Sequence, residues 1–273
     1  MAVDIETLKL LYFQNDEPCP YKLKCGYELN IYPIKVKDWG IYEHSISILQ
    51  IDKNKINDIK IIQMSYLEYL YNLYSANSEY GTYIANIMEY SLRENRIAFS
   101  EYKGKIVIAL LDDNDVVKGY ITHKEFDEIK KIILYQNIYD YKDIYIDADV
   151  QQLYEDYYKI KYKNGKVPSL EEQKTYVLSK CGYTMEYLNN LSYRTFSQIF
   201  KHCVEDTIYI GRKIIQGSYK YKVDEDIQHP LYEKEKDKFS EIFEDTSVLS
   251  NKGISGAEQL NSLNLQNNII KET

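Results

Sequence analysis

Between residues 97 and 121 the apolar side chains of this sequence alternate with polar ones. In most of the rest they recur every three to four positions. Alternation places side chains on the two faces of a strand, and the longer period lines up one face of a helix. That change of period marks a block of strands and leaves most of the flanking sequence to supply helices that cover it. The expected class is therefore α+β and mainly helical, with a central three-stranded antiparallel meander. Lys103-Gly104 supplies its first turn and Asp112 to Asp115 its second.

A smaller β element is expected near the N-terminus. Tyr21, Leu23 and Cys25 alternate, Gly26 turns the chain, and Leu29 and Ile31 return before Pro33 stops the second strand. Asp38 is then read as the cap of a helix in which Trp39, Tyr42, Ile46 and Leu49 share a face.

The clearest amphipathic helix runs over 57–75, with Ile62, Tyr66, Leu70, Leu73 and Tyr74 on one stripe. A second is expected over 83–94, carrying Ile84, Ile87, Met88 and Leu92. Thr122 with Glu125, and Ser169 with Glu172, have the spacing of capping boxes. The first opens a helix whose inner face is Phe126, Ile129, Ile133 and Gln136; the second opens one that Gly182 ends. Residues 148–163 also read as helical. Thr184 caps a short helix, and Ser192 caps a long one with Phe196, Ile199, Phe200, Cys203 and Val204 on its apolar side. These elements suggest four regions: 1–56, 57–146, 147–245, and a Ser-, Asn- and Gly-rich tail over 246–273.

Composition narrows the function classes. The 42 acidic residues outnumber the 34 basic ones, for a net charge of −8, which disfavours phosphate-backbone binding. The most basic stretch holds Arg212, Lys213, Lys220 and Lys222, but Asp224, Glu225 and Asp226 follow it at once. No uncharged apolar run is long enough to span a membrane. The first residues lack a basic region and carry Asp4 and Glu6, so a cytoplasmic location is expected. Thirty tyrosines are consistent with a codon bias towards A and T; they also suit contact surfaces, because each ring combines area with a polar tip.

Reactive chemistry finds little support. Five residues separate Cys19 from Cys25, which is no zinc-knuckle spacing. Asp112, Asp113 and Asp115 would start a calcium loop, but counting from Asp113 the positions that need Gly and Glu hold Lys118 and Lys124. The acids at 147 and 149 suit a helix start, and Glu225, Asp226 and His229 are too loosely spaced to argue a metal site. The four histidines are read as lacking a partner three or four positions on, and His202, Glu205 and Asp206 as pointing away from Cys203. No catalytic, cofactor-binding or metal-binding residue is assigned, and the protein is read as not an enzyme.

Three stretches carry a resemblance: "ELNIYPIKVKDWGIYEHSISILQIDKN" (28–54), "ITHKEFDEIKKIILYQN" (121–137) and "GYTMEYLNNLSYRTFSQIF" (182–200). Together they resemble tail assembly chaperones and related small proteins of Gram-positive phage tails and phage-tail-like particles. The likeness extends over most of residues 20–232 and rests on apolar and aromatic patterns, with no reactive side chain to carry over. It implies a cytoplasmic, non-enzymatic protein that binds the tape-measure protein and helps tail-tube subunits polymerise around it. The other role it allows is that of a structural component of the mature tail or baseplate. Tape-measure protein and tail-tube subunits are the expected partners, self-association is left open, and neither nucleic acid nor membrane is expected. The residues expected to meet a partner are Tyr66, Tyr74, Phe196 and Phe200, with Leu263 and Ile269 of the tail.

Overall fold

A computed structural model describes residues 4–56, 58–141 and 168–218. The chain divides into two compact units. One comprises 1–143 with 167–225 and contains every described residue; the other, 144–166 with 226–273, lies outside them. The expected helix over 148–163 and the tail residues Leu263 and Ile269 fall in that second unit.

The architecture is α+β. Helix α1 (Ile5–Leu11) precedes a hairpin of β1 (Cys19–Lys22) and β2 (Glu28–Ile31). Gly26 turns it at φ 91°, a conformation open to a residue without Cβ. Helix α2 (Val36–Ser47) follows. Lys35, not Asp38, stands at its N-cap; Asp38 sits inside the first turn, where its charge favours the helix dipole. Trp39, Tyr42, Ile46 and Leu49 are all buried, as their spacing predicts.

The segment expected as one helix over 57–75 is two: α3 (Ile59–Gln63) and α4 (Tyr66–Ala76). The break has a local cause. The Ser65 hydroxyl accepts from the Glu68 N–H at 3.2 Å, and the Glu68 carboxylate accepts from the Ser65 N–H at 2.8 Å, a capping box that starts a new helix. Helix α5 (Glu79–Leu92) buries Ile84, Ile87, Met88 and Leu92.

The meander follows as β3 (Ile97–Tyr102), β4 (Lys105–Leu111) and β5 (Val117–Ile121), in the sheet order β3-β4-β5. Lys103 and Gly104 both have positive φ, which matches the twist of a two-residue turn to that of its strands. In the second turn the Asp112 carboxylate accepts the N–H groups of Asn114 and Val116, while Arg96 donates to Asp115. The acids there hold a turn together. Helix α6 (His123–Asn137) starts on the Thr122–Glu125 capping box and buries Phe126, Ile129, Ile133 and Gln136.

One core cluster runs from Ile5 to Leu134 and therefore joins regions 1–56 and 57–146. Polar side chains tie its layers together. The Lys24 N–H donates to the buried Glu125 carboxylate at 2.6 Å, and the Asn137 amide oxygen accepts from the Ile34 N–H at 2.8 Å. Buried polar groups persist in a core when they are paired in this way.

The last helices are α7 (Leu170–Cys181), α8 (Met185–Asn190) and α9 (Tyr193–Gly217). Their caps are those expected: Ser169 with Glu172, Gly182 at φ 67°, Thr184 and Ser192. A second cluster, of Val36, Val177, Leu188 and Phe196, packs them on the start of α2. Backbone bonds anchor the contact, with the Val36 N–H to the Leu191 carbonyl (3.0 Å) and the Tyr193 N–H to the Ile34 carbonyl (2.7 Å). Asp16 accepts from the hydroxyls of Ser192 (2.6 Å) and Thr195 (2.8 Å), and the rings of Trp39 and Tyr193 stack 3.5 Å apart.

Candidate protein-interaction surfaces

Among the described residues, two apolar features stand out on this unit. The first is a groove of about 700 Å³ between α4, α5 and the start of β3. Its floor is aromatic: the Tyr71 ring meets Phe99 edge-on at 5.2 Å, and Tyr74 stacks on Phe99 at 5.6 Å. Gly81 makes room for Tyr74, because a Cβ there would lie 2.8 Å from the Tyr74 ring. The second is the far half of α9. At 100° per residue the stripe that begins with Phe196, Ile199 and Phe200 continues through Val204 to Ile208, Ile214 and Ile215. The near half packs on α7, where Phe200 meets Tyr176 edge-on at 5.9 Å. Beyond it Ile208, Ile210, Ile214 and Ile215 are between 47% and 68% exposed.

The residues singled out in the sequence divide accordingly. Tyr74 is 42% exposed and lines the groove. Phe200 is half-buried against Tyr176. Tyr66 is 6% exposed, with its hydroxyl donated to the carbonyl of Ile48 at 2.5 Å, and Phe196 is fully buried. Both belong to the protein's own core and offer no surface to a partner, which corrects the expectation. An amphipathic stripe reads the same whether the chain or another molecule covers it. Leu263 and Ile269 lie outside the described residues. The sequence does not single out Phe99 or Gly81, and it marks the isoleucines from 208 to 215 only collectively, as part of a Tyr- and Ile-rich amphipathic helix over 192–216. The isoleucines that recur past Val204, at 208, 210, 214 and 215, were the available signal for the last group.

A cavity of about 480 Å³ between α1, β1 and α6 gathers carboxylates of Asp4, Glu125 and Glu128. Each is engaged within the fold. Asp4 caps α1 through Thr7; Glu125 holds the Thr122 and Lys24 N–H groups; Glu128 accepts from the Tyr21 hydroxyl at 2.6 Å. Burial and the adjacent carboxylate keep the Tyr21 proton well past its usual range, so the phenol serves as a donor.

In the stretch around Cys203, His202 does have a neighbour three residues on: its Nδ1 lies 3.2 Å from the Glu205 carboxylate. That helical pair corrects the reading that these side chains stand apart. Cys203 instead faces Cys181, with sulfurs 3.5 Å apart, and burial together with that thiol pushes it up to about 11. Among the described residues no three His, Cys, Asp or Glu side chains are placed to hold a metal ion, and no helix is long and apolar enough to cross a membrane.

No family model, curated protein or solved structure matches the chain.

Proposed function

We propose that this protein is a non-enzymatic assembly factor that binds another polypeptide through the open face of α9. The observation that carries this reading is the exposure of Ile208, Ile210, Ile214 and Ile215 on a helix whose other half is packed. At 100° per residue these isoleucines spread over about half of the helix circumference, a broad apolar side that suits burial against another polypeptide. The partner we assign is the tape-measure protein of a phage-type tail, with tail-tube subunits recruited around it, as the sequence resemblance implies. The acidic balance of the chain suits a factor that keeps such a client soluble without engaging DNA.

The test is co-purification of co-expressed tape-measure protein with the wild-type chain and with the double variant Ile208→Lys, Ile214→Lys. The wild type is expected to retain the client, and the variant to lose at least about tenfold in affinity. Equal retention by both would refute the assignment. Recovery of the protein at fixed stoichiometry in finished particles would instead make it a structural component of the tail or baseplate.

A further inference from the structure

The two outer strands of the meander are treated differently by the rest of the fold. On β5, Gly119 lies against Tyr27, where an added Cβ would meet the Tyr27 Cβ at 3.0 Å, and the Cys25 thiol donates to the Tyr120 carbonyl. The N-terminal hairpin thus covers that side. On the other side, among the described residues, β3 pairs with β4 alone. The Leu111 N–H donates to the Arg96 carbonyl at 2.9 Å, so Arg96 and Leu111 form a hydrogen-bonded pair. The register Ile97↔Leu110 then directs the backbone groups of Ala98, Ser100 and Tyr102 towards β4. Those of Ile97, Phe99 and Glu101 face away from it, and among the described residues none of these three receives or gives a hydrogen bond outside the ladder.

The aromatic groove lies along this same edge. It touches Ile97, Ala98 and Phe99 in succession. Consecutive strand residues point to opposite faces, so a hollow that touches all three follows the rim of the strand. The β3 sequence has no proline and no lysine, two residues that commonly blunt such an edge. Its one charge, the exposed Glu101, has no cation partner among the described residues.

We infer that the free edge of β3 is a docking site for an extended segment of another polypeptide, which adds a fourth strand and sets apolar side chains into the Tyr71–Tyr74–Phe99 groove. Unpaired backbone donors and acceptors at strand spacing are met by extended backbone; a helix has already spent its own. The segment's side chains follow from the rungs: apolar opposite Ile97 and Phe99, and Lys or Arg opposite Glu101. That charge complement also separates a foreign strand from a second copy of this chain. Antiparallel self-pairing about Phe99 would set Glu101 against Ile97. This inference concerns a different surface and a different partner conformation from the α9 reading and stands without it.

The probe is a capped synthetic peptide, SKTVTVS, whose antiparallel register places Lys opposite Glu101 and the two valines opposite Phe99 and Ile97. The comparison peptides are SETVTVS and SKTPTVS. Binding and amide exchange are followed by NMR on the full chain. The expected result is binding by the lysine peptide at least about tenfold tighter than by the other two, with the Ile97, Phe99 and Glu101 amides exchanging at least about tenfold more slowly in the complex. Glu101→Lys is expected to reverse the preference between the lysine and glutamate peptides. Glu101→Pro, which removes an outward N–H and leaves the inner ladder paired, is expected to abolish binding by both at an unchanged melting temperature. Three results would overturn the inference: no saturable binding of SKTVTVS, binding unaltered in Glu101→Pro, or protection of the same three amides in the free protein that grows with its concentration. The last would assign the edge to a second copy. The Ile208→Lys, Ile214→Lys variant is expected to bind the peptide as the wild type does, so the two readings fail separately.

Discussion

The ring of Tyr74 occupies the space a side chain at position 81 would need: a Cβ built on Gly81 lies 2.8 Å from Tyr74 Cε2 and 2.9 Å from Cδ2. The contact joins the end of α4 to the first turn of α5 and holds Tyr74 over Phe99.

Gly81→Ala is therefore expected to separate stability from groove shape. Alanine gains about 1 kcal/mol of helix propensity over glycine, while the partly exposed Tyr74 ring swings away from Phe99 at a similar cost. Thermal unfolding should change by less than about 1 kcal/mol. Peptide binding along β3 should fall. A large stability loss would mean that the Tyr74 ring cannot yield.

The lone tryptophan reports on the seating of the C-terminal helices. Trp39 is buried and stacks on Tyr193 with an interplanar angle of 2°. Tyr193→Ala is expected to cost about 3 kcal/mol in denaturant unfolding, because it removes a large ring from the junction between α2 and α9. Trp39 emission should shift to the red in the folded variant. Emission that stays blue would show that α9 is held there by the Asp16 hydrogen bonds without the stack.

Alkaline pH should loosen the link between the hairpin and the meander. The buried Glu94 carboxylate accepts from Lys118 at 2.6 Å and from the Tyr27 hydroxyl at 2.9 Å. Glu94 holds the Lys118 amine above its usual value, and burial, with Glu94 second, raises Tyr27. Both groups bind their protons more tightly when folded. Their stabilisation is complete below about pH 10 and is lost as pH climbs through the raised folded-state values. Glu94→Gln should lower neutral-pH stability by about 1 kcal/mol and flatten this alkaline loss. Unfolding curves measured from neutral to alkaline pH would show both effects.

The four thiols should label in order of burial. Cys25 and Cys181 are exposed, whereas burial pushes Cys19 and Cys203 up to about 11. At mildly alkaline pH an aromatic disulfide reagent is expected to modify Cys25 and Cys181 first. The Cys203 thiolate, 3.5 Å away, then attacks the Cys181 sulfur and expels the second reagent thiolate, leaving a Cys181–Cys203 disulfide. Peptide mapping should find that bridge, and Cys203→Ser should leave the mixed disulfide on Cys181. Mixed disulfide retained at Cys181 in the wild type would place the two sulfurs too far apart to react.

Much of this molecule is written locally. The boxes at Thr122–Glu125 and Ser169–Glu172, the Lys103-Gly104 turn and the glycine stop at 182 all lie where near-neighbour chemistry puts them, because caps and turns are satisfied within a few residues. Ser65–Glu68 has the same chemistry, yet an apolar period running across it masks the break between α3 and α4.

Exposure was a different matter. Tyr66 and Tyr74 stand on one helix at comparable positions of one stripe, as do Phe196 and Ile214 on another; one of each pair is core and the other surface. The amino-acid sequence by itself determined most of the elements, their order and their apolar faces, since these follow from period and capping along the chain; α1 and the break between α3 and α4 were not legible in it. Only the tertiary structure decided which faces remain uncovered, and that β3 keeps a free edge, among the described residues. Covering a face depends on what other segments bring to it across long sequence separations, and no local pattern records that.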